Sequence, residues 1–120
     1  MKKAETKQIQ QMLPSDSEER KQNPIFSGFL AYFPLAAAAM SRVSKRGNDK
    51  HNPGIPELQW TRSKSNDHLD CVARHLIDFE VLDEETGEYL DAAECAWRAC
   101  ARLEELEEKR LGKPMSRASR

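Results

Sequence analysis

Two sets of charged side chains carry the chemistry this chain offers. Asp67, Asp70, Arg74 and Asp78, with His75 beside them, form one; Asp91, Glu94 and Arg98 form the other. Within each set the members stand three, four or seven residues apart, so a helix puts them on one face. Pairs of short carboxylates on facing helices suit a hard cation such as magnesium, which takes oxygen ligands in an octahedron and keeps several waters. Helical bundles build metal sites between facing helices in this way. The bland alternative is acid–base alternation along a solvated helix face. Glu104, Glu105, Glu107 and Glu108 fit that alternative better and are assigned no role. His75 taken alone reads more often as a hydrogen-bonded structural histidine than as a ligand. Trp97 reads as core or interface. Trp60, with Arg62 and Lys64 close by in a Pro/Gly-rich stretch, reads as a contact surface for a base or a phosphate.

The elements that must position these groups are helical. Pro34 suits the first turn of a helix, where its missing N–H costs nothing. Leu35, Ala38, Ala39 or Met40, and Val43 follow at helical spacing, with Gly47 as the expected stop. Residues 47–66 form a long connection holding Pro53, Gly54 and Pro56; unstructured loops of that length tend to be functional. Asn66 or Asp67 is the expected cap of a second helix reaching to about residue 80, with Leu69, Val72, Ala73, Leu76 and Ile77 as its core face. Residues 83–88, DEETGE, are a turn. A last helix over about 89–111 repeats Ala92, Ala96, Ala99, Leu103 and Leu106, a helix–helix seam, and Gly112 ends it. Residues 1–23 read as a flexible arm with one helical turn near 9–13. Residues 112–120 read as a basic disordered tail, leaving 24–111 as the folded domain. Strand signals are absent.

The chain has 120 residues, a formal net charge of −1 and 32% charged residues, with a mean hydropathy of −0.79. That is one small domain at most, with no bulk charge drawing it to nucleic acid or an anionic membrane. A core this thin is often completed by pairing with a copy of the same chain, so a homodimer or homotetramer is expected. The three cysteines, Cys71, Cys95 and Cys100, are odd in number and lack C-x-x-C spacing. They read as small helix residues in a reducing cytoplasm. The most apolar stretch, 25–40, is too short to span a bilayer and contains Pro34, and no signal peptide is seen.

The runs YFPLAAAAMSRVSKRGNDKHNPG, LQWTRSKSNDHLDCVARHLID and AWRA resemble the phage and bacterial dATP/dGTP diphosphohydrolase family, akin to the all-α MazG-like nucleoside triphosphate pyrophosphohydrolases. The similarity covers about residues 24–108. Its specific parts are the glycine followed by Lys50-His51, the Trp60 loop, and the helix carrying Asp70, Arg74 and His75. MazG-like enzymes carry E-x-x-E on one helix and E-x-x-D on the next. Here His75-x-x-Asp78 and Asp91-x-x-Glu94 fall at comparable spacing, with Asp67-x-x-Asp70 as an alternative first pair, so the glutamate pattern is altered. The resemblance implies an all-α bundle that hydrolyses a purine deoxynucleoside triphosphate to the monophosphate and pyrophosphate with magnesium, or manganese in its place. It implies Asp70, Asp78, Asp91 and Glu94 as metal ligands, and Asp70, Arg74 and His75 as catalytic residues. Lys50, Trp60, Arg62 and Lys64 are then the substrate contacts. The competing readings are a non-catalytic helical interaction protein and a His-Asp phosphohydrolase. The latter needs an adjacent His-Asp pair, and the chain has only Asp67-His68, in reversed order.

Overall fold

The computed structural model describes residues 2–64 and 66–116. Among them the protein is mostly helical and has no strand. The elements are α1 (Lys3–Met12), α2 (Ser17–Lys21), a single π-helical turn (Phe26–Leu30), α3 (Pro34–His51), a 3-10 turn (Arg62–Lys64), α4 (His68–Leu76) and α5 (Leu90–Leu111).

Helix α3 begins at Pro34, as its fixed φ favours, but it does not stop at Gly47. It runs one turn further, to His51. A glycine inside a helix costs about 1 kcal/mol relative to alanine. Asn48, almost completely buried, offsets that cost. Its Nδ2 donates to the carbonyl of Ile55 at 3.0 Å, and its Oδ1 accepts from the N–H of Gln59 at 3.0 Å. Continuing the helix through Gly47 therefore places the side chain that folds the following loop back on α3. The helix breaks at Asn52, just before Pro53 and Gly54, where Gly54 has φ 81°.

Helix α5 ends where its sequence requires. Gly112 takes the left-handed conformation with φ 63°, and the N–H of Lys113 closes on the carbonyl of Glu108 at 2.8 Å, a glycine C-terminal cap. Residues 83–88 form the expected turn. The Asp83 carboxylate accepts from the Thr86 N–H at 2.9 Å and from its hydroxyl at 2.8 Å, and Gly87 supplies φ 73°. Helix α4 is shorter than expected. After Leu76 the chain turns, with Phe79 N–H bonding to Leu76 O and Val81 N–H to Asp78 O, so Asp78 is not carried on the helical face.

Packing turns four of the five expected core residues of α4 outward, and Val72 stays half-buried against α5. Both α4 and α3 pack on α5, α4 more extensively. The side of α4 that meets α5 carries His68 and Cys71, both buried, with Val72 and His75 half-buried. Leu69 is 66% exposed, Leu76 59% and Ile77 85%, and Ala73 is exposed too. The physical reason is on α5. Its contact residues Ala93, Cys95 and Ala101 are small, so the helices approach closely, and Cys95 Sγ reaches the carbonyl of Val72 at 3.4 Å. The anticipated seam is likewise split: Ala92 and Ala96 are half-buried, while Ala99, Leu103 and Leu106 are exposed. Among the described residues the buried apolar ones are Val43, Cys71, Ala93, Cys95 and Ala101, a small set for a domain of this size. The radius of gyration, 15.6 Å, exceeds the roughly 14 Å of a compact domain of this length, so the fold is open as well as thinly cored.

The leader holds more helix than one turn. Glu5 accepts from the Lys2 N–H at 3.3 Å at the start of α1, and Asp16 caps α2 by accepting from Glu19 N–H at 3.2 Å. The segment after α5 returns to α1: Lys113 Nζ donates to the Gln11 carbonyl at 3.2 Å, and Gln8 Nε2 to that of Met115 at 3.4 Å. Residues 113–116 are thus tied down, and the rest of the expected tail, 117–120, lies outside the described residues. Among the described residues no single helix is long and apolar enough to cross a membrane.

Candidate functional site

Helices α3, α4 and α5 and the segment 58–64 enclose an open cleft of about 900 Å³. Of the residues expected to act on substrate or metal, it gathers Lys50 from α3, Trp60 and Lys64 from the connecting segment, Arg74 and His75 from α4, and Glu94 from α5. Its charged lining is Arg46, Lys50, Lys64, Arg74 and Arg98 against Asp67, Glu94 and Glu104, five fixed cations to three acids. Such an excess in a concave site favours a polyanion.

The α4 wall is Asp67, Cys71, Arg74 and His75. Arg74 donates to Asp67 at 3.5 Å and lies 2.8 Å from Cys71 Sγ. The Asp67 carboxyl sits below its usual range, first through its own backbone N–H and then through Cys71 and Arg74. At the end of this wall His75 Nδ1 stands 2.6 Å from Asp91 Oδ1. That contact orients the imidazole and fixes Nδ1 as the protonated nitrogen, which leaves Nε2 as the basic one.

Four expected site residues stand elsewhere. Asp70 is exposed on α4, off the cleft face. Asp78 is exposed beyond the end of α4. Asp91 is engaged by His75. Arg62 lies under the cleft floor, its two terminal nitrogens on the Glu108 carboxylate at 2.6 and 3.0 Å. Asp70, Asp78, Asp91 and Glu94 are therefore not brought together in one chain. Among the described residues no three of His, Cys, Asp and Glu group closely enough to hold a metal ion. Helix α4 stops before Asp78, and Asp91 meets the His75 imidazole.

The floor holds groups that the sequence pattern hides. Trp60 and Trp97 meet edge to face at 5.8 Å between centroids, and His68 packs against both at 6.4 and 6.3 Å. Trp97 Nε1 donates to Ser44 Oγ at 2.7 Å, pinning α5 to α3. Arg98 approaches His68 Nδ1 at 3.3 Å, so that nitrogen accepts and the proton sits on Nε2, 3.6 Å from Glu105. Burial holds the imidazole below its ordinary value, and it stays neutral. His68 is thus a packing residue. Arg62 lies over the Trp60 ring at 3.9 Å, so the ion pair with Glu108 also holds the indole in place.

Glu104 and Glu108, read from the sequence as solvated, are neither free nor alike. Glu108 is buried, also accepts from the Ser116 N–H at 3.0 Å, and is held at about 2, chiefly by Arg62. Glu104, one turn earlier, lines the cleft and is pushed up to about 7, first by its hydrogen bond with Glu108 and then by burial. The two carboxyls are pushed in opposite directions, Glu108 toward its charged form and Glu104 toward its neutral form, as close acid pairs are. Their spacing of four residues on a helix of four clustered glutamates carries no mark of this. The partner that singles out Glu108 is 46 residues away. Asn48 was equally hidden, inside a stretch that reads as loop. Burial raises all three thiols, Cys71, Cys95 and Cys100, so none offers a thiolate nucleophile near neutrality.

Comparison with protein-family models, with curated proteins and with solved structures finds no match to this chain.

Proposed function

We propose that the chain is a MazG-like pyrophosphohydrolase that cleaves a purine deoxynucleoside triphosphate to the monophosphate and pyrophosphate in the α3–α4–α5 cleft, and that it works as a homo-oligomer. The observation that carries this reading is the convergence of Lys50, Lys64, Arg74, His75, Glu94 and Trp60 on one cleft from segments up to 44 residues apart in sequence. About 900 Å³ lies within the range of small-molecule sites. Magnesium or manganese enters with the triphosphate, as part of the substrate. Such ions are commonly held by phosphates plus one or two carboxylates, and Glu94 is the nearest fit.

His75, oriented by Asp91, takes a proton from water through Nε2. The water oxygen bonds to the α-phosphorus, the bond from that phosphorus to the bridging oxygen breaks, and pyrophosphate leaves with the electron pair. Lys50, Lys64 and Arg74 neutralise charge on the phosphates, which is most of what phosphoryl transfer asks of a protein. Trp60, one face of which is covered by Arg62, offers its other face to the base. The unpaired cysteines suit a reducing cytoplasm. The exposed apolar side of α4 supports association with a second copy; it also suits a non-catalytic interaction protein, the alternative.

Incubation with a panel of nucleotides and magnesium, with products separated by chromatography, tests the reading. Monophosphate plus pyrophosphate is expected. Nucleoside plus tripolyphosphate, or no turnover at all, refutes it. His75→Asn and Asp91→Asn are expected to lower kcat by about a hundredfold or more, the scale of general-base catalysis. Trp60→Ala should raise KM by about ten- to a hundredfold, the worth of a stacked base. Near wild-type rates in both dyad variants would remove His75 and Asp91 from the mechanism.

A further inference from the structure

Two apolar faces of this chain lie bare, and the segments that carry them have opposite charge. The first is the π-helical turn with the start of α3. Phe26 is 75% exposed, Tyr32 72% and Leu35 84%, and Phe29 and Phe33 are also open to solvent. The second is the outer side of α4, with Leu69, Leu76 and Ile77, continued past its end by Phe79, Val81 and Leu82. Residues 20–46 hold five cations and no acid, whereas residues 75–97 hold eight acids and no lysine or arginine. We propose that the aromatic turn of one copy seats on the α4 face of a second copy, whose own turn seats on the α4 face of the first. The proposal rests on the homo-oligomer reading above and deepens it, since that reading names no segment that covers α4.

Within one chain the two faces do not cover each other. Among the described residues the π-helical turn packs on α3 alone, while α4 packs on α5. The turn is fixed in place by the Ala31 N–H on the Phe26 carbonyl and the Phe33 N–H on the Phe29 carbonyl, both at 2.8 Å. Phe29 and Tyr32 each meet the Phe33 ring edge to face, at 5.9 and 6.0 Å between centroids. The rings therefore form one ordered projection, and a surface ordered before docking loses little entropy when it docks.

Charge and area select the occupant. Pairing turn with turn sets cations against cations, and pairing α4 with α4 sets acids against acids. The crossed pairing brings opposite signs together. The acids beside the α4 face, Asp70, Asp78 and Glu80, are exposed. At the border of the turn, Lys21 bridges to Glu18 and Lys45 to Asp49, in exposed contacts at 3.3 and 2.7 Å; such bridges are worth little and exchange readily. Arg42 and Arg46 reach Glu88 of their own chain, so the two segments already pair where they come within range. An anionic lipid surface would suit the cations but leave the α4 face bare. The four aromatics of the turn expose roughly 500 Å², and the three aliphatic side chains of α4 add roughly 300 Å². Together these match the roughly 800 Å² that each partner gives to a stable interface. Neither face lines the cleft, so the pairing leaves it open.

The test is the mass in light scattering of the wild type, two double variants and their mixture. The wild type should have twice 13.7 kDa. Phe26→Glu with Tyr32→Glu disables the turn, and Leu69→Lys with Ile77→Lys disables the α4 face, so each variant alone should be monomeric. Mixed in equal amounts they should pair again. The intact turn of one then meets the intact face of the other, and the two substituted surfaces set glutamate against lysine. A variant that keeps the wild-type mass, or a mixture no heavier than its parts, overturns the crossed pairing and leaves the hydrolase reading standing. A wild-type species larger than a pair overturns the reciprocal arrangement in favour of a head-to-tail ring. A wild-type monomer overturns this proposal and the oligomer reading together, and its sedimentation with phosphatidylglycerol vesicles would give the turn to a lipid surface. Carbodiimide coupling of wild-type protein mixed from light and heavy isotopes supplies a readout independent of how the variants fold. Lys21 or Lys45 should join an acid of residues 78–88 between chains, and links confined to single chains overturn the proposal.

Discussion

Breaking the Arg62–Glu108 pair should cost this protein far more than any surface charge would. The two side chains are 11% and 7% exposed and meet through two charge-assisted bonds. Glu108 is drawn from an ordinary 4.5 to about 2, which corresponds to about 3 kcal/mol of preference for the ion. Removing one partner of a buried pair typically costs about 3–5 kcal/mol, because the other charge is left without compensation. Arg62→Met loses in addition its stacking on Trp60, roughly 1 kcal/mol, and should be the worse single variant. Glu108→Met strands the Ser116 N–H as well as the guanidinium. The double Met variant removes both charges and should lose less than Arg62→Met alone. Urea denaturation at one fixed protein concentration measures all four proteins, since any association shifts the midpoint with concentration. The pH dependence has a definite sign. A carboxyl held low by its fold contributes stability that is full above the unfolded value and is lost as protons arrive. This contribution should therefore disappear between about 4.5 and about 2, and be absent from Glu108→Met. Single variants that lose less than about 1 kcal/mol would mean that the pair behaves as a solvated surface bridge, and the account of how Trp60 is held would fail with it.

Two glycines should respond oppositely to alanine. Gly47 is helical with open space where a Cβ would go, so Gly47→Ala should stabilise by about 0.5–1 kcal/mol; Gly112 has φ 63°, so Gly112→Ala should destabilise by about 1–2 kcal/mol. Thermal melts check both, and a destabilising Gly47→Ala would mean that α3 does stop there. The proposed association should appear in light scattering as a species of at least twice 13.7 kDa. Leu69→Lys with Ile77→Lys should reduce it to monomer, and a wild-type protein that is monomeric at micromolar concentration refutes the association.

The parts of the fold that could be read from the sequence are those set by local chemistry. Pro34 opens α3, Gly112 closes α5, and Asp83, Thr86 and Gly87 make the intervening turn. Each depends on a backbone preference or a bond within a few residues. The expectations that the structure altered depend on distant partners. Gly47 reads as a stop until Asn48 is seen bonded to Ile55 and Gln59. Arg62 reads as a substrate contact until Glu108 is found opposite. The site was legible in the same degree. Lys50, Trp60, Lys64, Arg74, His75 and Glu94 do share a cleft, because α4 lies along it, with both Arg74 and His75 on its wall, and the long connection returns across α3. Asp78, expected on the same helix face, lies past the end of α4 at Leu76.

The outward face of α4 connects these points. Hydrophobic periodicity identifies which side of a helix seeks burial, but not whether its own chain or another supplies the cover. Here Leu69, Leu76 and Ile77 point outward, and the side turned to α5 carries His68, Cys71 and His75. A chain folding alone would gain by rotating α4 to bury the leucines. The contacts opposing that rotation are polar and specific: His75 with Asp91, His68 with Arg98, and the two tryptophans around His68. Burying three large aliphatic side chains is worth about 1.5–3 kcal/mol each, more than those polar contacts supply by themselves. The observed orientation is the favoured one if a second copy covers the aliphatic face, for then neither set is sacrificed. On that account the site and the assembly depend on each other: α4 can present His75 to the cleft because its apolar side is buried elsewhere. Variants that break the association, such as Leu69→Lys with Ile77→Lys, should therefore lose hydrolysis as well as mass, although neither residue lines the cleft. A fully active monomeric variant would show that α4 keeps its orientation unaided.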